Sequence, residues 1–231
     1  TWNLDGSNTY TAGNHTLNFA SFENLTGGSD TDVFTITDAQ PHILVGNAGD
    51  DSLIFNDDAV LIGSFDGSSD DDTIDFSRYT TSRDVVLTSL GLTDGFSGTA
   101  TGISNGFFNT ETILGSSVGN DRLIGLNADA RWDVNGSNIY TAIQPIDFTG
   151  TENDHTARRL VATTTVALVT VDTSGLETLN FAGFEILQGG SANDVFIFTD
   201  TQANSIFGGG DVDYFLFNDA ATLIAGLSGA N

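Results

Sequence analysis

GGSDTDVFT at residues 27–35, GNAGDDSLI at 46–54 and GSSDDDTID at 67–75 share one pattern. In each, a glycine-rich turn leads into an aspartate and then a short apolar strand. The three begin 19 and 21 residues apart. The pattern returns as GSSVGNDRLI (115–124), GGSANDVFI (189–197) and GGGDVDYFL (208–216), and the last two again start 19 apart. A turn that recurs at this interval suits one coil of a parallel β-stack, where strands and turns return the chain to its starting edge.

The surrounding residues support strands. VFTI, SLIF, TIDF, VFIF and YFLF are short and rich in Val, Ile and Phe. Gly, Asn and Asp punctuate them where positive φ is needed. Only two prolines occur, so ladder hydrogen bonds are little interrupted. No segment has sustained helical periodicity with caps. The expected fold is therefore all-β: a right-handed parallel β-solenoid with about 20 residues per coil, its hand following from the crossover rule. Roughly 11 coils would form a rod on the order of 50 Å long. A sandwich of hairpins is the alternative, disfavoured by the near-constant coil length and the single repeated turn.

A longer duplication frames these turns. TWNLDGSNTYTA (1–12) matches RWDVNGSNIYTA (131–142), and TLNFASFENLTG (16–27) matches TLNFAGFEILQG (178–189). DVFTITD (32–38) pairs with DVFIFTD (194–200), and LIFNDDAVLIG (53–63) with FLFNDAATLIA (215–225). The offset is 130 at first and 162 afterwards, so the second copy carries about 32 extra residues near 144–175. The expected units are 1–130 and an incomplete 131–231. Within the insertion, RRLVATTTVALVTVDT (158–173) alternates apolar and polar residues and reads as a strand or hairpin. Trp2 with Tyr10, and Trp132 with Tyr140, mark the start of each unit as core packing, although an aromatic pair could also bind sugar.

Net charge is −25, with 26 Asp, 5 Glu, 6 Arg and no Lys. Asp bonds its own backbone in turns, whereas Glu favours helix, so this is turn acid. A surface of this sign argues against nucleic acid and against anionic membranes. Cations or basic partners are its complement. Cysteine is absent, so neither disulfides nor thiol metal sites are possible. No apolar run reaches the roughly 18 residues needed to span a bilayer. No signal peptide or initiating Met opens the chain, so a segment of something longer is expected.

The turns resemble the calcium-binding nonapeptide G-G-x-G-x-D-x-U-x of bacterial RTX proteins. GNAGDDSLI keeps Gly46, Gly49, Asp51 and Leu53, with Asn47 in place of the second glycine. GGSDTDVFT keeps Gly27, Gly28, Asp32 and Phe34 but has Asp30 at the third glycine, and GSSDDDTID has Asp70 there beside Gly67, Asp72 and Ile74. GGSANDVFI keeps Asp194, GGGDVDYFL keeps Asp213, and GSSVGNDRLI has one extra residue before Asp121. Only one side of each coil carries the pattern, unlike a full RTX array. The wider pattern also looks like the repeats of haemagglutinin-type giant bacterial surface proteins. The resemblance implies calcium shared between stacked turns, with Asp32, Asp51, Asp72, Asp121, Asp194 and Asp213 as ligands, while Asp30, Asp50, Asp70 and Asp71 are expected to face solvent or act as secondary ligands.

Charge crowding points the same way. Carboxylates stacked about 4.8 Å apart repel by about 3 kcal/mol per pair at an effective dielectric near 20. Calcium takes carboxylate and carbonyl oxygens in flexible geometry. Plain Asx-turns or solvated loop acids are the competing reading.

Other chemistry finds little support. His15, His42 and His155 have no zinc spacing and read as surface or loop residues. No nucleophile elbow or nucleotide-binding motif is present. Arg78, Arg83, Arg158 and Arg159 read as salt-bridged surface arginines. The expected function is a structural or adhesive segment of a secreted bacterial surface or filament protein, rigidified by calcium. It would continue covalently or stack end to end, with a cell-surface or polysaccharide target. The alternative is a carbohydrate-active β-helix enzyme, which needs one singular acidic or Arg-lined groove. A flat ice-binding array would need more T-x-T than TATGIS and VATTTV supply.

Overall fold

A computed structural model describes residues 1–143 and 176–229. Every helix or strand among them is a strand. The chain opens with an antiparallel meander of β1 (Trp2–Leu4), β2 (Thr9–Ala12) and β3 (His15–Asn18). There follow β4 (Asn24–Thr26), β5 (Val33–Ile36), a corner strand β6 (Ala39–Gln40), β7 (Ile43–Asn47), β8 (Ser52–Phe55), a corner strand β9 (Val60–Leu61), β10 (Ser64–Ser68) and β11 (Thr73–Asp75). A second meander comprises β12 (Asp84–Leu90), β13 (Phe96–Ala100) and β14 (Ile103–Thr110), followed by β15 (Thr112–Leu114) and β16 (Arg122–Ile124). The third is β17 (Ala130–Val134), β18 (Asn138–Ala142) and β19 (Thr178–Ala182). The last strands are β20 (Ile186–Gln188), β21 (Asp194–Phe198), corner β22 (Thr201–Gln202), β23 (Ser205–Phe207), β24 (Tyr214–Phe217), corner β25 (Thr222–Leu223) and β26 (Leu227–Ser228).

Two long sheets result. One runs β3-β2-β1-β5-β8-β11-β15-β19-β18-β17-β21-β24, the other β4-β7-β10-β14-β13-β12-β16-β20-β23-β26. From β4 to β11 the chain alternates between them and lays each new strand parallel to the last one in that sheet. The period-two pleat sends alternate residues inward. Phe34, Leu53 and Ile74 lie opposite one another in one sheet, Leu25, Leu44 and Phe65 in the other, and all six are buried. Burying such a side chain contributes about 1.5–3 kcal/mol. These columns are the core, and they fix the register, because a one-residue slip would turn every column outward.

The uninterrupted 20-residue period expected from sequence holds for 27–75 and for 189–216 but not between. There the chain overshoots and steps back. β12 pairs with the later β16, β13 runs antiparallel to it, and β14 returns to lie on the earlier β10. β17, β18 and β19 do the same in the other sheet, β17 beside β21 and β19 on β15. Antiparallel neighbours need only tight connections, which a local glycine-rich stretch provides. TATGIS carries the β13–β14 turn, with Gly102 at φ 107°. The middle strands of the two meanders meet across the core, where Phe96 and Tyr140 sit edge to face at 5.5 Å.

The duplicated sequences make equivalent pairings. Trp2 lies opposite Tyr10 and Phe34, as Trp132 lies opposite Tyr140 and Phe196. Trp132 is fully buried, stacked on Phe196 at 5.3 Å and edge-on to Tyr140 at 4.6 Å. Trp2 has the same neighbours but is only half-buried, because among the described residues no strand lies beyond β3. The extra residues of the second copy fall between β18 and β19. The strand expected at 158–173, with Arg158 and Arg159, lies outside the described residues. Trp132→Ala should therefore cost about 3–5 kcal/mol and Trp2→Ala clearly less, as read from urea unfolding midpoints.

Candidate functional site

Each glycine-rich turn ends at an aspartate that precedes or opens a strand, and the strand's period-two geometry then fixes where that side chain goes. Asp32, Asp51 and Asp72 immediately precede β5, β8 and β11 and form a row inside the corner. Asp51 and Asp72 are fully buried and Asp32 nearly so. The Asp32 N–H donates to Asp51 Oδ1 at 2.6 Å, the Asp51 N–H to Asp72 Oδ1 at 2.8 Å, and the Asp72 N–H to Glu111 Oε2 at 2.6 Å. Each carboxylate thus caps the backbone donor of the rung before it. The second unit repeats the arrangement, the Asp194 N–H donating to Asp213 Oδ1 at 3.1 Å.

The other carboxylate oxygen turns back toward its own turn. Asp32 Oδ2 accepts from the Gly28 N–H at 2.8 Å and Asp194 Oδ2 from the Gly190 N–H at 3.0 Å. Asp194 Oδ1 also accepts from Trp132 Nε1 at 3.0 Å. The matching oxygens of Asp51, Asp72 and Asp213, and Oε1 of Glu111, are buried with no hydrogen-bond partner among the described residues. Glycine is required here by close approach. A Cβ on Gly46 would collide with the Asp51 carboxylate and the Gly67 carbonyl, and one on Gly67 with the Asp72 carboxylate and the Asn109 carbonyl. Asn47, standing where the RTX pattern has glycine, takes φ 84° and donates to the Gly27 carbonyl.

Burial governs the electrostatics. Loss of solvation is the largest cause raising Asp51 to about 6, Asp72 to about 8, Glu111 to about 7 and Asp194 to about 8. The same cause raises Asp213. Repulsion from neighbouring acids, the cost weighed from sequence, ranks behind both desolvation and the stabilising Asp32 N–H bond at Asp51.

Not every expected acid joins the row. Asp121 is buried in the other sheet, where its Oδ1 caps the Arg83 N–H and its own N–H donates to Glu185 Oε2 at 3.1 Å. Asp30 and Asp50 are exposed, Asp50 Oδ1 accepting the Asp71 N–H at 3.2 Å. Sequence reading missed Glu111 and Glu185. ETIL at 111–114 echoes DTID at 72–75, and that echo was the available signal for Glu111. His42 is buried rather than on the surface, held by Asn8 at 3.1 Å. Arg83 is buried too, with its guanidinium 3.9 Å above the Tyr79 ring.

Among the described residues no three His, Cys, Asp or Glu side chains converge on a point that would hold a metal ion. Calcium at the inner row would instead need one carboxylate oxygen per turn together with backbone carbonyls, and the unpartnered oxygens of Asp51, Asp72 and Asp213 fit that donor set. A pocket of about 300 Å³ is lined by Leu90, Leu126, Ala128, Ala142, Ile143, Leu176 and Glu177. It is apolar apart from one carboxylate, which accepts the Gly95 N–H. Comparison with protein families, curated proteins and solved structures returns no match.

The raised carboxyls bind their protons more tightly folded than unfolded. Their contribution is complete below the unfolded value near pH 4 and is lost as pH rises through about 6 to 8. Metal-free protein should melt lower at pH 8 than at pH 5. Asp72→Asn keeps an acceptor and removes the charge, so it should flatten that dependence. Asp72→Ala should cost about 1–3 kcal/mol for the orphaned Asp51 N–H, read from thermal melts across pH.

Proposed function

We propose that this chain is a structural or adhesive repeat segment of a secreted bacterial surface or filament protein. Its two sheets form a right-handed parallel β-solenoid interrupted by meanders, and the rod stacks end to end. Calcium at the glycine–aspartate corners replaces protons on the buried row at neutral pH. Asp51, Asp72 and Asp213 would hold it, with carbonyls of the stacked glycines, and Asp30 and Asp50 lie on the outer side of the same turns. The observation that carries this reading is the row itself: a duplicated set of carboxylates, of which Asp51, Asp72, Glu111 and Asp213 each have a buried oxygen that no donor reaches among the described residues. A carbohydrate-active enzyme would need a polar groove found once, and the apolar pocket beside Glu177 does not favour it.

The proton reading competes directly, because the same carboxyls sit above their usual range. The two separate at pH 8. Calcium at 100 times its dissociation constant should add about 2.7 kcal/mol, or about 5–10 °C in melting temperature for a chain of this size. A chelator should reverse the gain, and Asp51→Asn, Asp72→Asn and Asp213→Asn combined should abolish it. Melting that follows pH alone and ignores calcium would leave protons as the counter-charge.

A further inference from the structure

The molecule contains its own template for an end-to-end junction. Inside the chain, β19 and β20 of the second copy rest on β15 and β16 of the first. The equivalent strands β3 and β4 rest on nothing among the described residues. The contrast is large at matched positions. Leu179 is 0% and Phe184 3% exposed, whereas Leu17 is 62% and Phe22 59% exposed. Polar groups show the same gap. Tyr140 accepts the Leu126 N–H at 3.0 Å and Glu185 the Asp121 N–H at 3.1 Å, both from the unit beneath. Tyr10 and Glu23 hold the matching places without such a donor among the described residues.

The opposite end offers what is missing. Its outermost strands, β24 and β26, expose Phe217 and Leu227 at 44% and 49%, and Ile224 between β25 and β26 is 69% exposed. Following the pairings through each sheet, β24 runs parallel to β3 and β26 parallel to β4. One copy can therefore extend another in both sheets at once without reversing strand direction. Such a contact joins unlike surfaces and continues into a filament.

We infer that the β3/β4 end of this protein docks the β24/β26 end of a second copy in the register of the internal junction. The inference rests on the proposed stacking rod and specifies its interface. Thr112, Ile113 and Leu114 face Asn180, Phe181 and Ala182 internally, and Leu123 faces Leu187. Carried through the rungs, this sets Phe215 against Phe19, Leu216 against Ala20 and Leu227 against Leu25. The column of Trp132, Phe196 and Phe215, stacked at 5.3 Å per step, then continues through Phe19 into the Trp2 of the next copy.

The chain has no cysteine, so designed thiols report cleanly. In calcium buffer under oxidation, the full chain with Ala20→Cys and Leu216→Cys should give a ladder of disulfide-linked multimers. Thr11→Cys with Leu216→Cys, where Thr11 is exposed but off register, should stay monomeric. Leu17→Lys with Phe22→Lys should abolish assembly of the cysteine-free chain in sedimentation, with its melting temperature unchanged. No ladder, equal ladders from both thiol pairs, or assembly that survives the lysines overturns the docking. A chain that stays monomeric yet melts higher with calcium overturns the docking alone. Assembly in register without any calcium response leaves it standing and removes calcium.

Discussion

The structure depends on a carboxylate oxygen meeting the backbone N–H of the preceding rung. A strand entering from a corner turn brings a donor that the sheet ladder does not satisfy, and a buried orphan of that kind costs about 1–3 kcal/mol. Asp is short enough to reach one rung back from inside the corner. The 2.6–2.8 Å bonds from Asp32 to Asp51, Asp51 to Asp72 and Asp72 to Glu111 make each rung's polar satisfaction depend on the next. Coupling of this sort extends order along the stack in the way expected of repeat proteins, where each unit is stabilised by its neighbours.

Asparagine would accept the same hydrogen bond, offer its amide to the neighbouring carbonyls and bury no charge. The chain places acids there instead, in a protein already at −25. The consequence is a core whose stability is tied to whatever neutralises the row. Burial raises the carboxyls before their mutual repulsion does, so the sensitivity belongs to the closed corner and not to the acidic surface. The glycine column makes that closure possible, since Gly46 and Gly67 leave room only for the carboxylate in front of them and the carbonyl of the stacked turn.

Much of this was legible in the sequence. The glycine–aspartate–strand period placed Asp32, Asp51 and Asp72 in one row, and the duplicated Trp and Tyr marked strands that pair alike. What escaped detection was non-local. Nothing in the turn before Asp121 says that its strand joins the other sheet, because the β12–β14 meander intervenes and shifts which edge the chain returns to. Glu111 completes the row without a glycine turn, since β14 delivers it from a hairpin. Burial of Arg83 and His42 is likewise set by what the meanders place over them, which a count of local residue types does not contain.

A stack of rungs has two ends, and the internal junction gives the chemistry with which they can be closed. Among the described residues, the apolar columns reach exposed Leu17 and Phe22 on one side and Phe217 and Leu227 on the other. Net charge opposes joining them. Rungs in a sheet lie about 4.8 Å apart, well inside the roughly 8 Å screening length of physiological salt, so monovalent ions do little between facing acids. A counter-ion held within the corners, be it proton or calcium, removes that opposition where the rungs meet. In the proposed rod, the charge state that permits one corner to close also permits the next copy to add, so rung stability and filament growth respond to the same ion.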